Sequence, residues 1–160
     1  MVDIDFFATV DDLGLNDFDF VLFGDGSGTT IELPCAWACH AVNTATKAVT
    51  KHFGGLSSGT NNLAELIPYL HALWHIQTSK ETRSSTTRVA IVSDSEVTVR
   101  CGNGEYERRA NAAIWAGIEW FENNGFVILW KHVRRNTNPV NANCDLIAGQ
   151  KRKLMSEFGK

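Results

Sequence analysis

Hydrophobic residues run through this chain in blocks whose period changes. Residues 18–24 are almost continuously apolar and predict a buried strand, stopped by the turn-forming cluster Gly24-Asp25-Gly26-Ser27-Gly28. Residues 30–41 and 45–54, rich in Val, Thr, Ala, Trp and Cys and parted by a polar break at Asn43, predict two more strands that end at Gly54-Gly55. The period then becomes helical. Leu63, Leu66, Ile67, Leu70, Leu73 and Trp74 form one stripe in a helix over 62–77, with Pro68 expected to kink it or leave its first turn irregular. A Ser/Thr-rich loop over 79–87 leads into 88–93, whose unbroken apolar character predicts a central strand. A short helix over 95–101 is broken at Gly102-Asn103-Gly104, and a longer one over 107–123 turns Ala110, Ile114, Gly117, Ile118 and Phe121 inward. Residues 126–132 predict a fifth strand, 134–142 a polar loop, and a last helix runs from about 144 to 157. Residues 1–16, acidic with scattered apolar positions, predict a loosely held arm or a short extra strand.

Three strands, then a helix, a strand, two helices, a strand and a helix imply an α/β protein. Its mixed sheet would join an antiparallel meander to parallel additions, with helices packed over it. A length of 160 residues, without repeat or linker, suits one domain over 1–160. No apolar run is long enough to cross a bilayer, and no basic-then-apolar leader opens the chain. A cytoplasmic monomer without a membrane partner is therefore expected. In a reducing compartment Cys35, Cys39, Cys101 and Cys144 remain free thiols, with Cys35 and Cys39 packed on one strand face. Neither cysteine pair is completed to a zinc spacing.

The net charge of −3 disfavours a nucleic-acid partner until its distribution is considered. Asp3, Asp5, Asp11, Asp12, Asp17 and Asp19 fall in the first twenty residues, where there is no Lys or Arg. The remainder carries 15 basic groups against 12 acidic ones. Such a surface favours a phosphate backbone, and an acidic arm would compete with nucleic acid for it. Lys47, Lys51, Arg83, Arg88, Arg108 and Arg109 are candidate phosphate contacts.

Four carboxylates sit at element boundaries: Asp25 ending the first strand, Glu65 in a first helical turn, Asp94 ending the fourth strand and Asp145 opening the last helix. Each has a plain explanation alone. Asp25 suits a turn, Glu65 lies three residues after Asn62 as in a capping box, Asp94 can cap the next helix, and Asp145 suits a helix dipole. Gathered at one end of a mixed sheet, they would repel one another until cations compensate, and hard oxygen ligands favour Mg²⁺ or Mn²⁺.

The segments carrying these residues resemble type 1 ribonuclease H. Asp25-Gly26-Ser27 is similar to that family's first-strand motif, and Thr60-Asn61-Asn62-Leu63-Ala64-Glu65-Leu66 to its Thr-Asn-Asn-x-x-Glu-Leu segment. Ser93-Asp94-Ser95 resembles its fourth-strand motif and Asn141-Ala142-Asn143-Cys144-Asp145 its final Asn-x-x-x-Asp. The likeness runs in order from about 18 to 157 and implies the ribonuclease H-like fold: three antiparallel strands, then two parallel additions. It implies hydrolysis of the RNA strand of RNA–DNA hybrids to 5′-phosphate and 3′-hydroxyl ends, with two Mg²⁺ ions, Mn²⁺ being possible, held by Asp25, Glu65, Asp94 and Asp145. It further implies substrate contacts from Gly26, Ser27 and Ser95, a DNA-strand phosphate at Thr60, and Asn61 and Asn62 in the minor groove, where the 2′-hydroxyl separates RNA from DNA. The family's loop histidine would be His132, or Arg135 in its stead. Histidines 40, 52, 71 and 75 read as structural or solvent-facing. Two other readings stay open: a nuclease of this fold acting on junctions or DNA, and a non-catalytic nucleic-acid-binding domain.

Overall fold

A computed structural model describes residues 4–79 and 86–158. Helix α1 (Phe6–Asp12) precedes strands β1 (Phe20–Ser27), β2 (Cys35–Asn43) and β3 (Val49–Leu56). Helix α2 (Asn61–Ser79) and strand β4 (Thr87–Ser93) follow, then helices α3 (Glu96–Gly102) and α4 (Ala112–Asn123), strand β5 (Phe126–His132) and helix α5 (Pro139–Phe158). The sheet order is β3-β2-β1-β4-β5. The β1–β2 and β2–β3 pairs are antiparallel, whereas β1–β4 and β4–β5 are parallel. The expected topology is therefore the observed one.

Both faces of the sheet are covered, and strand alternation sorts the core in two. Leu22, Val89 and Ile91 point to the face packed by Leu66, Tyr69, Leu73, Val99 and Ile118 of α2, α3 and α4. Val21, Phe23, Ala90 and Val92 point to the face packed by α1 and α5 through Val10, Val140 and Cys144. The cysteines are free, and three of them are buried.

Several elements differ from the pattern reading. Residues 4–16 of the acidic N-terminal arm are neither loose nor a strand. Asp5 caps α1 by accepting from the Ala8 N–H at 2.9 Å, and Val10 and Leu15 enter the second core cluster. Strand β1 runs on through the glycine cluster, because β2 pairs with it as far as Ser27↔Ala36. Asp25 is thus a strand residue, not a turn residue. Strand β2 begins at Cys35 rather than at 30, since 30–34 form a turn closed by the Leu33 N–H on the Thr30 carbonyl. Helix α2 presents Ala64, Leu66, Pro68, Tyr69, Ala72, Leu73 and Ile76 inward, a face rotated from the expected stripe, so that Trp74 is 60% exposed. Pro68 lies inside the unbroken helix. Helix α4 starts at Ala112 rather than 107, after Asn111 in a left-handed conformation at φ 60°, and Ala110 is exposed. Helix α5 starts at Pro139, not near 144, because the Asn138 side chain accepts from the Asn141 N–H at 2.8 Å and Pro139 takes the first helical position.

The contact between β1 and α2 is closest at Gly26. A Cβ there would stand 2.2 Å from the Ala64 carbonyl carbon and 2.4 Å from the Glu65 nitrogen. Because those atoms are backbone, relief requires moving an element. Gly26→Ala should cost about 3 kcal/mol and lower Tm by roughly 6–12 °C. Gly149, mid-helix in α5 with nothing within 4 Å of its Cβ position, should respond oppositely, Gly149→Ala gaining about 1 kcal/mol. Thermal melts of both variants check the pair, and equal responses would contradict the packing described.

Candidate active site

The site begins where two strands part. Parallel pairing of β1 and β4 ends at Phe23↔Val92. Beyond it, the Gly24 and Val92 carbonyls lose their ladder partners, and a buried carbonyl needs a donor. The Asn141 side-chain amide supplies one to each, at 3.2 and 3.1 Å. The Tyr69 hydroxyl lies 3.0 Å from the first and 3.3 Å from the second. Asp25 and Asp94 are the next acidic residues on each diverging strand.

Alternation along β1 places Asp25 on the α5 side and glycines 24 and 26 on the α2 side, where Tyr69 and the Ala64 backbone crowd them. That approach carries Glu65 to the strand end. Asp25, Glu65 and Asp94 each offer a ligand oxygen, and these atoms all lie within 4.8 Å of one another. Asp145, one helical turn after Asn141 on α5, is near enough to share a hydrogen bond with Asp25 and to act on Asp94 through its charge. All four carboxylates singled out from the sequence therefore meet. Asp145 stands outside the tight trio, and it lies in the second turn of α5, not the first.

The capping explanations do not hold. The Thr60 hydroxyl, not Asn62, accepts from the Leu63 N–H at 3.2 Å. Ser95, not Asp94, caps α3 by accepting from the Thr98 N–H at 3.2 Å. Asn62 is left exposed. Asn61 donates to Glu65 Oε1 at 3.1 Å while its oxygen accepts from the Gly28 N–H at 3.1 Å, so this amide fixes the carboxylate and the strand end together. Ser27 accepts from the Arg152 guanidinium at 2.7 Å.

Positive charge is scarce. Burial, then the charges of Asp94 and Asp145, push the Asp25 carboxyl up to about 8, against one stabilising N–H from Gly26. Burial also raises Glu65, opposed by the Ser95 hydroxyl, and it raises Asp94, opposed by Arg135. Arg135 reaches Asp145 at 3.4 Å. His132 closes β5, with Nε2 3.3 Å from the Asp94 main-chain oxygen. Other candidate cations are engaged elsewhere: Arg108 with Glu119 and Glu122, Lys47 and Lys51 over Phe7 and Phe6, and Arg88 over Phe18. Arg83 lies outside the described residues. Sequence reasoning did not single out Tyr69 or Arg152, and it read Asn141 only as part of a motif. An Asn four residues before Asp145 was the available signal.

One buried and two half-buried carboxylates with raised proton affinity and little cationic compensation suit a hard divalent cation, and Asp25, Glu65 and Asp94 can hold one. The linkage has a definite sign. The folded chain keeps the Asp25 proton up to about 8, whereas an unfolded carboxyl releases it near 3.8. Stability from that proton is complete below about 4 and is lost as pH rises through about 8. In chelator, Tm should fall across that interval. Excess Mg²⁺, or Asp25→Asn, should flatten the slope, and a level profile in chelator would contradict the charge balance described.

No protein-family model matches the chain, and no curated protein does. Solved structures do. The N-terminal RNase H domain of a Mycobacterium tuberculosis protein superposes with a TM-score of 0.72 at 16% identity, over 88% of this chain and 98% of that one. LC11-RNase H1, solved in complex with RNA/DNA hybrid, gives 0.68 at 18% identity over 84% and 97%. RNase H1 from the halophilic archaeon Halobacterium salinarum gives 0.62 at 18% over 82% and 95%. With the strand order and the covered faces described above, these likenesses establish that the chain adopts the type 1 ribonuclease H fold.

Proposed function

We propose that the chain is an endonuclease that hydrolyses the RNA strand of RNA–DNA hybrids, leaving 5′-phosphate and 3′-hydroxyl ends. The observation that carries this reading is the convergence of Asp25, Glu65 and Asp94 within 4.8 Å, with Asp145 beside them, at the parting of β1 and β4. Asp25, Glu65, Asp94 and Asp145 would hold two divalent ions, Mg²⁺ or Mn²⁺, which when bound supply an acidified water and charge stabilisation at the scissile phosphate and its leaving oxygen. The solved hybrid complex of LC11-RNase H1 supports the substrate class.

The chain's own groups divide the remaining work. Asn61 orients Glu65 and keeps one N–H and one lone pair for a ligand, while Asn62 is exposed beside it. Amides that donate and accept suit the 2′-hydroxyl of the RNA strand in the minor groove. Thr60, Ser27 and Ser95 border the same mouth, although their hydroxyls already serve α2, Arg152 and α3. Gly26 acts through close approach of backbone rather than through a contact of its own. Arg135, paired with Asp145, fills the place of the loop base and offers its guanidinium to the departing phosphate.

Asp94→Asn keeps the side chain's shape and removes its charge. Cleavage of a labelled hybrid in Mg²⁺ should fall about a thousandfold, roughly 4 kcal/mol of barrier, with hybrid affinity retained. Duplex DNA, duplex RNA and a four-way junction complete the panel; preference for a junction or DNA would replace the substrate, and wild-type chain inert on all four would indicate a binding domain. Arg135→Ala should slow cleavage roughly 10–100-fold. A larger loss from His132→Ala would hand the loop role to the histidine.

A further inference from the structure

Away from the carboxylates, three histidines stand together with no side-chain hydrogen bond among the described residues to explain them. His71 and His75 are one turn apart on α2 and share a face. His52 of β3 packs against both, its ring centroid 5.0 Å from that of His71 and 4.9 Å from that of His75. His52 is 9% exposed, and its Nε2 is buried without a hydrogen-bond partner among the described residues. Trp37 lies against His71 at 5.1 Å. Among the described residues no carboxylate bonds any of the three. A buried imidazole nitrogen without a partner is costly in a folded protein, and it is uncommon without a reason.

We propose that His52, His71 and His75 form a second metal site, which takes a zinc-class divalent ion through imidazole nitrogens and leaves the remaining position to water. A tetrahedral zinc ion, with Zn–N bonds of about 2.0–2.1 Å, needs imidazole nitrogens turned toward one point, and the rings of His71 and His75 both adjoin that of His52. Burial and mutual repulsion lower the proton affinity of His52, to about 4, and of His71. Both rings are therefore neutral at neutral pH and their lone pairs are available. The acidic trio is the one described group whose ligand atoms already lie within 4.8 Å of one another. Ligation by the histidines thus requires rotation of His71 and His75, which are exposed.

The two sites differ in chemistry and place. Imidazoles select zinc, copper or nickel, and carboxylates select magnesium or manganese. His71 and His75 lie six and ten residues beyond Glu65, roughly 9 and 15 Å along the helix axis. Strand β3 is an outer strand of the sheet, hydrogen-bonded among the described strands to β2 alone. An ion shared between His52 and α2 would pin that strand to the helix and stabilise the fold by mass action.

Equilibrium dialysis of the full chain against Zn²⁺, in excess Mg²⁺ to fill the carboxylates, tests the site. One Zn²⁺ per chain should be retained, with a rise in Tm. His71→Ala and His75→Ala should each weaken retention about tenfold or more and abolish the rise, while leaving the metal-free Tm unchanged. Asp94→Asn should retain Zn²⁺ as the wild type does, so the outcome does not depend on the nuclease reading. Absence of bound Zn²⁺, or retention indifferent to both histidine variants, would overturn the proposal.

Discussion

Two main-chain oxygens govern this molecule. Where β1 and β4 stop pairing, the Gly24 and Val92 carbonyls are left inside the protein, and Asn141 and Tyr69 bond them from opposite faces of the sheet. One partner comes from α5 and the other from α2, so the same hydrogen bonds that close the gap fix both helices against it. The separation sets Asp25 and Asp94 beyond the last β1–β4 pair, and the helices that seal it deliver Asp145 and Glu65. A buried polar network of this kind is costly when incomplete and specifies one arrangement when complete.

Charge sets this arrangement apart from an ion-pair network. A scaffold ion-pair network would place guanidinium or ammonium groups among the carboxylates, as Arg108 does between Glu119 and Glu122. At Asp25 burial and two neighbouring carboxylates all act against ionisation, and the Gly26 N–H acts for it. Arg135 reaches the outer member, Asp145. In a chain with 15 basic residues this deficit is local: Arg135 offsets it only from the edge, and a proton or a divalent ion would complete the balance of the inner trio.

Much of this could be read from the chain because strand and helix periods are strong signals, and because carboxylates at element ends are conspicuous. The misreadings have physical causes. Glycines 24 and 26 suggest a turn, yet here they serve an extended strand crowded by a helix, a circumstance that local sequence does not reveal. The Asn138-Pro139 pair carried a helix start that a polar composition masked, which displaced Asp145 from the first turn of its helix to the second. Tyr69 lies outside the apolar stripe read for its helix, yet it is buried and its hydroxyl reaches two strands. In α1 the pattern of Phe6, Phe7 and Val10 was present, but surrounding aspartates concealed it.

That first helix changes what the acidic segment can be. Val10 and Leu15 belong to the core beneath α5, Phe6 stacks edge-on against His40, and the ammonium groups of Lys47 and Lys51 lie over its aromatic rings. Its negative charge is therefore bolted in place rather than tethered, and it cannot sweep across a nucleic-acid surface as a free tail would. Cutting it away would strip a wall from the hydrophobic interior, so a shortened chain would report lost cohesion before it reported any released brake.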